Sequence, residues 1–219
     1  GARARSRMKP SRPLPPRARR SRRYDGQWAD NKMHGKGVYT FANANKYGAG
    51  GRAAAAAATT RSRTCTKLRA DRVARALRYE GDFVDDVKEG QGVLQYVDGE
   101  RYEGEWRADA KHGLGEYRYR TGGVYVGEWK DNLRDGQGRM RFADGRAYDG
   151  AWRAGRLHGY GEMTYSNGME YKGNWKDDQK SGLGRGGYHN GNVYEGEWEA
   201  DQRVGGGPYR YANGDVHAG

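Results

Sequence analysis

The sequence predicts an all-β protein, an elongated antiparallel meander of β-hairpins, and three observations carry that prediction. A 23-residue pattern restarts at Tyr79, Tyr102, Tyr125, Tyr148, Tyr171 and Tyr194, with one earlier start at Tyr24. Each unit contains two runs in which side-chain type alternates from residue to residue, as strands with two unlike faces require. Neighbouring units are joined at Asp98-Gly99, Asp144-Gly145, Asn167-Gly168, Asn190-Gly191 and Asn213-Gly214, pairs that favour tight hairpin turns because Gly accepts positive φ without a Cβ clash.

Residues 1–23 hold ten Arg or Lys and no acid, with Pro and small residues between them. They lack the apolar material for a core and read as a disordered basic leader, of a composition that also resembles an organelle transit peptide. Residues 24–46 form a first repeat unit. The next, residues 47–78, begins on schedule at Tyr47 but loses the pattern to a run of alanines and basic residues. Removing it would leave the register unbroken, so it reads as a low-complexity insert. Ala70, Val73, Ala74 and Leu77 have helical spacing and predict a short basic helix over about residues 67–78.

From residue 79 to 219 the array is regular. Tyr102, Gly104 and Trp106 fall on one face of a first strand, with Glu103 and Glu105 on the other, and Tyr125, Gly127, Trp129 and Tyr148, Gly150, Trp152 repeat the arrangement. A polar loop leads to a second strand that begins near Gly113 and carries Gly115, Tyr117 and Tyr119 on one face. A two-residue connection would put Tyr96 and Tyr102 on opposite faces. A three-residue loop, Val97-Asp98-Gly99, ending in a left-handed Gly with a bulge, returns both to one face. The paired glycines leave room for a ring to lie across the backbone, and no unit has enough large residues to bury a face alone, so stability must come from stacking of neighbours. The last repeat breaks off after His217 and Gly219, where the next Tyr and Gly are due, so the array is expected to continue.

Composition narrows the function. Hydrophobic residues make up 35%, Gly occupies 37 positions, and Tyr outnumbers Phe by 17 to 3. No apolar run approaches the roughly 18 residues of a membrane span. Cys65 is the single cysteine, so no internal disulfide framework exists and a free thiol is expected. The net charge of +12 invites a nucleic-acid reading, but the charge is not where the repeats are. Residues 48–78 carry eight basic side chains against Asp71, whereas residues 79–219 carry 19 basic against 25 acidic ones. The acidic array offers no continuous positive groove, which argues against nucleic acid.

No catalytic or cofactor constellation emerges. His34, His112 and His158 recur at one repeat position, about 10 Å apart between adjacent units, too far for one zinc ion with ligand bonds near 2.1 Å. Glu103/Glu105 and Glu195/Glu197 lie on a solvated face with no enclosing wall. Gly-x-Gly at 113–115 lacks the third Gly and the helix of a dinucleotide site. The reading is a non-enzyme without cofactor or metal.

Tyr-x-Gly-x-Trp, a polar stretch, His-Gly-x-Gly, an aromatic and Asp/Asn-Gly together resemble the MORN (membrane occupation and recognition nexus) repeat over residues 24–46 and 79–219. The pattern departs at Phe83, at Asn43-Ala44, and at Lys88-Glu89-Gly90, Arg134-Asp135-Gly136 and Lys180-Ser181-Gly182, which lack the His. The resemblance implies a binding and scaffolding module attached to a membrane through anionic phospholipid, or to a protein or cytoskeletal partner, including a second copy of itself. A cytoplasmic, peripheral membrane, cytoskeletal or ciliary location follows from the same resemblance. The alternative it implies is the regulatory segment of a larger enzyme, such as a phosphatidylinositol-phosphate 5-kinase or a SET-domain methyltransferase. For contact with lipid or partner the basic segments supply Arg17, Arg19, Arg20, Arg22, Arg23, Arg69, Arg72 and Arg75.

Overall fold

The computed structural model describes residues 22–41 and 76–218. Their strands form one open antiparallel sheet in which chain neighbours are sheet neighbours. The first repeat gives β1 (Arg23–Ala29) and β2 (Lys32–Thr40), the second β3 (Ala76–Val84) and β4 (Val87–Tyr96), and the third β5 (Arg101–Arg107) and β6 (Ala110–Arg118). Then follow β7 (Val124–Lys130) and β8 (Leu133–Arg141), β9 (Ala147–Arg153) and β10 (Arg156–Thr164), and β11 (Glu170–Lys176) and β12 (Gln179–Gly187). The last are β13 (Val193–Glu199), β14 (Gln202–Val204), β15 (Tyr209–Arg210) and β16 (Val216–His217), with β14 and β15 both paired to β13.

The connection between repeats is the three-residue loop that the face argument requires. Tyr96 N–H donates to Glu100 O at 2.9 Å, Gly99 N–H donates to Tyr96 O at 3.1 Å, and Gly99 has φ +89°. Tyr96 and Tyr102 therefore share the buried face. The connection within a repeat is tighter than the expected polar loop. It is a two-residue hairpin turn with positive φ at both positions, as at Ala108 (48°) and Asp109 (64°), a geometry that Asn and Asp tolerate best after Gly.

In the first six repeats the first strand pairs its Gly with the Gly of the second, and that Gly pairs in turn with the Gly of the next first strand. From Gly26 to Gly196 each cross-strand neighbour at this level is another glycine. The leading Tyr of each repeat lies over this row. A Cβ on Gly115 would stand 2.5–2.7 Å from the Tyr102 ring and hydroxyl, and one on Gly104 would meet Gly115 Cα at 2.5 Å. The row is thus the floor on which an aromatic layer rests, and Tyr79, Tyr102, Tyr125, Tyr148 and Tyr171 are the most deeply buried aromatic side chains.

Three expectations need correction. Ala76, Leu77 and Arg78 belong to β3, so the helix proposed over residues 67–78 does not include them; residues 67–75 lie outside the described part. Cross-strand pairing with β2 explains the difference, since Thr40 faces Arg78 and Phe41 N–H donates to Leu77 O at 3.1 Å. Arg23, assigned to the leader, opens β1 opposite Thr40. Glu105 is not simply solvated. Its carboxylate accepts Leu114 N–H at 3.0 Å, filling the place left where β6 bulges at His112–Leu114. The sheet passes from β2 to β3 in register, Gly37 opposite Gly81, so the first repeat stacks on the second across the insert.

Candidate interaction surface

Three ties lock each repeat to the one before it. The first is the tryptophan: Trp106 Nε1–H donates to Gly92 O at 3.0 Å, Trp129 to Gly115 O at 3.1 Å and Trp152 to Gly138 O at 3.0 Å. Each indole also meets the preceding Tyr edge to face, as Trp129 meets Tyr102 at 5.4 Å between centroids. The Tyr hydroxyl is spent inside its own repeat, Tyr102 donating to Glu105 O at 2.9 Å. The second tie is the turn. Asn132 N–H donates to Lys111 O and Asn132 Oδ1 accepts Lys111 N–H, both at 3.1 Å; Asp109, Asp178 and Asp201 clamp Lys88, Leu157 and Lys180 in the same way.

The third tie involves the residue so clamped. Lys88, Lys111, Arg134, Lys180 and Arg203 occupy one repeat position, and their cationic heads rest on ring faces of the aromatic layer. Lys111, 1% exposed, places Nζ 4.0 Å from the Tyr117 centroid, 4.9 Å from Trp129 and 5.1 Å from Tyr102. Such contacts contribute about 0.5–2 kcal/mol each when desolvated. Burial pushes the Lys180 amine below its ordinary value, and the Asp201 carboxylate opposes that shift. In this position Leu157 makes the apolar version of the same contact and is buried. Sequence reasoning missed this row because it assigned these residues to a polar loop. The available signal was their fixed place two residues before a Gly.

With the aromatic layer committed to holding repeats together, the informative feature is where the layer is incomplete. One position along each second strand faces the leading Tyr with a large side chain: Leu94, Tyr117, Met140 and Met163 pair with Tyr79, Tyr102, Tyr125 and Tyr148. Opposite Tyr171 stands Gly186. Its missing side chain opens a recess of about 430 Å³ lined by Glu170, Lys180, Tyr188, Trp198, Asp201 and Arg203. A Cβ on Gly186 would meet Trp198 Cζ2 at 3.0 Å and Cη2 at 3.3 Å, so a side chain there requires the indole to give by a few tenths of an ångström, less than the Tyr rings over the glycines of the row would have to; its φ is not in the left-handed region.

A second recess of about 460 Å³ opens on the reverse face over Gly37, Gly81 and Gly92, between Val38, Val93, Glu80 and Glu103 on one side and Lys36 and Gln91 on the other. The same face exposes Leu114, Tyr160 and Leu183, more than half accessible each.

Seven matches to the MORN repeat model cover residues 24–46, 79–101, 102–124, 125–145, 148–170, 171–193 and 194–216. The chain belongs to the MORN-repeat family. Those MORN boundaries coincide with the hairpin pairs described above and pass over residues 47–78. No curated protein sequence matches the chain. Among solved structures, this MORN protein is similar to the TCP domain of Drosophila melanogaster SAS-4, described in complex with a proline-rich motif of Ana2, at 14% identity and a TM-score of 0.46, covering 99% of this chain and 97% of that one. The TCP10 domain of Danio rerio CPAP is similar at 16% identity and a TM-score of 0.36, covering 59% of this chain and 61% of that one.

The MORN geometry places the residues singled out from sequence in two groups. Tyr102, Gly104, Trp106, Gly113, Gly115, Tyr125, Gly127, Trp129, Tyr148, Gly150 and Trp152 all lie in the hairpins, and the tyrosines and tryptophans among them build the buried layer. Gly113, φ +54°, turns the bulge of β6 rather than facing a ring. Arg22 and Arg23 are exposed at the β1 edge, where Arg23 lies 3.6 Å from Asp25. Arg17, Arg19, Arg20, Arg69, Arg72, Arg75 and Cys65 lie outside the described residues. Among the described residues no helix is long and apolar enough to cross a membrane.

Proposed function

We propose that this chain is a non-enzymatic binding and scaffolding module that anchors a protein partner by an apolar side chain inserted at Gly186. The observation that carries the reading is the interruption at Gly186 of a layer that is filled at the same position in the repeats on either side. An aromatic wall with one side chain missing, lined by the Tyr188 and Trp198 rings together with charged groups, matches what a partner's anchor residue needs: a recess framed by rings that a single side chain can enter. The volume of about 430 Å³ lies within the usual range for a ligand site. The same surface serves a free-standing scaffold or the regulatory segment of a larger enzyme.

The test uses a peptide library displayed on phage, selected in parallel on the chain and on Gly186→Met, which copies Met140 and Met163. Peptides selected on the chain should contain a shared aromatic or aliphatic residue and should lose affinity for Gly186→Met on the order of 10-fold or more, as a blocked anchor implies. Equal binding to a folded Gly186→Met chain would overturn the reading.

A second reading, attachment to anionic phospholipid, is favoured by the ten basic residues of the leader and the eight of the insert. Each contributes on the order of 1 kcal/mol near an anionic leaflet, and the attraction decays within a Debye length. Co-sedimentation with phosphatidylserine vesicles should then weaken with added salt and on replacing Arg17, Arg19, Arg20, Arg22 and Arg23 by Gln. Binding that ignores both changes counts against this reading.

A further inference from the structure

Two of the three ties, the tryptophan and the turn, reach backwards, toward the hairpin that comes earlier in the chain, and in the first described hairpin both reaching groups have no partner among the described residues. Trp28 is 60% exposed, whereas Trp106, Trp129, Trp152 and Trp175 are 4–5% exposed. Asn31, which matches Asp109 and Asn132 in the turn, is also exposed. Residues 2–21 contain neither Gly nor an aromatic residue, so that segment does not offer the glycine carbonyl and ring that every other Trp meets. Among the described residues the outer edge of β1 is unpaired, with its donors in place.

We propose that the occupant is the β1 strand of a second copy of this chain, antiparallel and centred on Gly26, joining two arrays into one sheet about a two-fold axis. The register follows from the array itself. Everywhere else in the sheet a Gly of this row faces a Gly, and in the β4–β5 pair, where Gly92 faces Gly104, Trp106 donates to Gly92 O. With Gly26 facing the partner's Gly26, the carbonyl of that glycine takes the place of Gly92 O, and Trp28 Nε1–H can reach it. The turn tie transfers as well. Asp109 clamps Lys88 N–H and O, and by the same offset Asn31 meets the N–H and O of the partner's Arg22.

Side chains agree with this register. Trp28 stands beside the partner's Tyr24 on the aromatic face of both copies, the kind of cross-strand aromatic pair that stabilises sheets. On the reverse face Asp25 falls opposite the partner's Gln27 and Arg23 opposite the partner's Ala29, so no like charges face each other. Arg22 falls opposite the partner's Asp30. A two-fold edge contact satisfies each group twice and closes the assembly at two copies, covering the open edge that a sheet otherwise leaves for uncontrolled pairing.

The full chain should sediment as a concentration-dependent dimer, and Trp28→Lys should return it to monomer while leaving its circular dichroism unchanged. Register is tested by cross-linking in a Cys65→Ser background. Strand neighbours directly opposite lie within disulfide reach, so mild oxidation of mixed Asp25→Cys and Gln27→Cys chains should give a covalent dimer, and either chain alone much less. A chain that remains monomeric at every concentration overturns the proposal. So does a dimer indifferent to Trp28→Lys, or one in which the mixed chains cross-link no better than either alone.

Discussion

Gly115→Ala adds a single methyl group and should be among the most damaging small substitutions in the array. The new Cβ would stand 2.5 Å from Tyr102 Oη and 2.6–2.7 Å from two ring carbons, where ordinary contact begins near 3.4 Å, so the ring must retreat by about 1 Å. It has nowhere to go. Tyr102 is fully buried, held edge to face by Trp106 at 5.2 Å and Trp129 at 5.4 Å, and bonded through its hydroxyl to Glu105 O. Overpacking of this kind costs about 1–3 kcal/mol, and loss of the hydroxyl bond adds about 1 kcal/mol. With roughly 2–4 °C of melting temperature per kcal/mol at this size, the expected drop is about 5–15 °C. Gly122→Ala, in the loop of the same repeat, is the control. Nothing lies within 4 Å of its Cβ, but its φ of +97° disfavours any side chain, at a cost of about 1–2 kcal/mol. Thermal melts followed by circular dichroism and Trp fluorescence compare the two. If Gly115→Ala melts no lower than Gly122→Ala, the ring is not seated on the glycine floor and the packing argument fails.

Three further outcomes follow from the same geometry. Deleting residues 47–78 removes Ala76, Leu77 and Arg78 from the start of β3 but should leave a folded array, because Asn45 and Lys46 would then precede Tyr79 in the places of Leu77 and Arg78, and Ala42-Asn43-Ala44 would take the place of Val97-Asp98-Gly99. Adding Ala44→Gly to that deletion should raise the melt by relieving about 1–2 kcal/mol at the left-handed position, and a loss of strand signal in the deletion would show the insert to be integral. Burial raises the phenol pKa of Tyr79, Tyr102, Tyr125, Tyr148 and Tyr171 above the ordinary 10.0. The stability these neutral phenols contribute is therefore complete below about pH 10 and is lost as the pH rises from there toward the folded-state values, because the unfolded chain ionises first; urea melts that do not weaken from about pH 9 to about pH 11 would contradict this. Lys180→Met should stay within about 1 kcal/mol of the parent, since Leu157 fills the equivalent place, whereas Lys180→Glu should cost more than about 2 kcal/mol by turning an anion toward ring faces, as chemical denaturation would report.

Much of this architecture could be read from residue order because each repeat states its own local rules. The alternation of Tyr102, Gly104 and Trp106 fixes a face, and the parity of Tyr96 and Tyr102 fixes a three-residue loop at Gly99. What could not be read was set by a neighbouring repeat. Lys111 looks like a solvated loop residue until Trp129, from the next hairpin, closes over it. Asp109 looks like a generic turn residue until its carboxylate is seen to accept Lys88 N–H. The helix expected over residues 67–78 failed at its end for the same reason: Ala76, Leu77 and Arg78 have helical neighbours in sequence but a waiting strand, β2, in space. Gly186 was invisible among 37 glycines because only its partner, Tyr171, shows that a side chain is missing.

The backward direction of the tryptophan and turn ties bears on how the molecule is made. A ribosome delivers the hairpins in order, and when the β5 strand emerges, Gly92 O and the Tyr79 ring are already in place for Trp106. Each newly synthesised hairpin therefore finds its docking site complete and need not wait for residues still to be translated, so the array can assemble vectorially, with each tryptophan sheltered as it docks: Trp198 in the last repeat is buried, while Trp28 in the first is exposed.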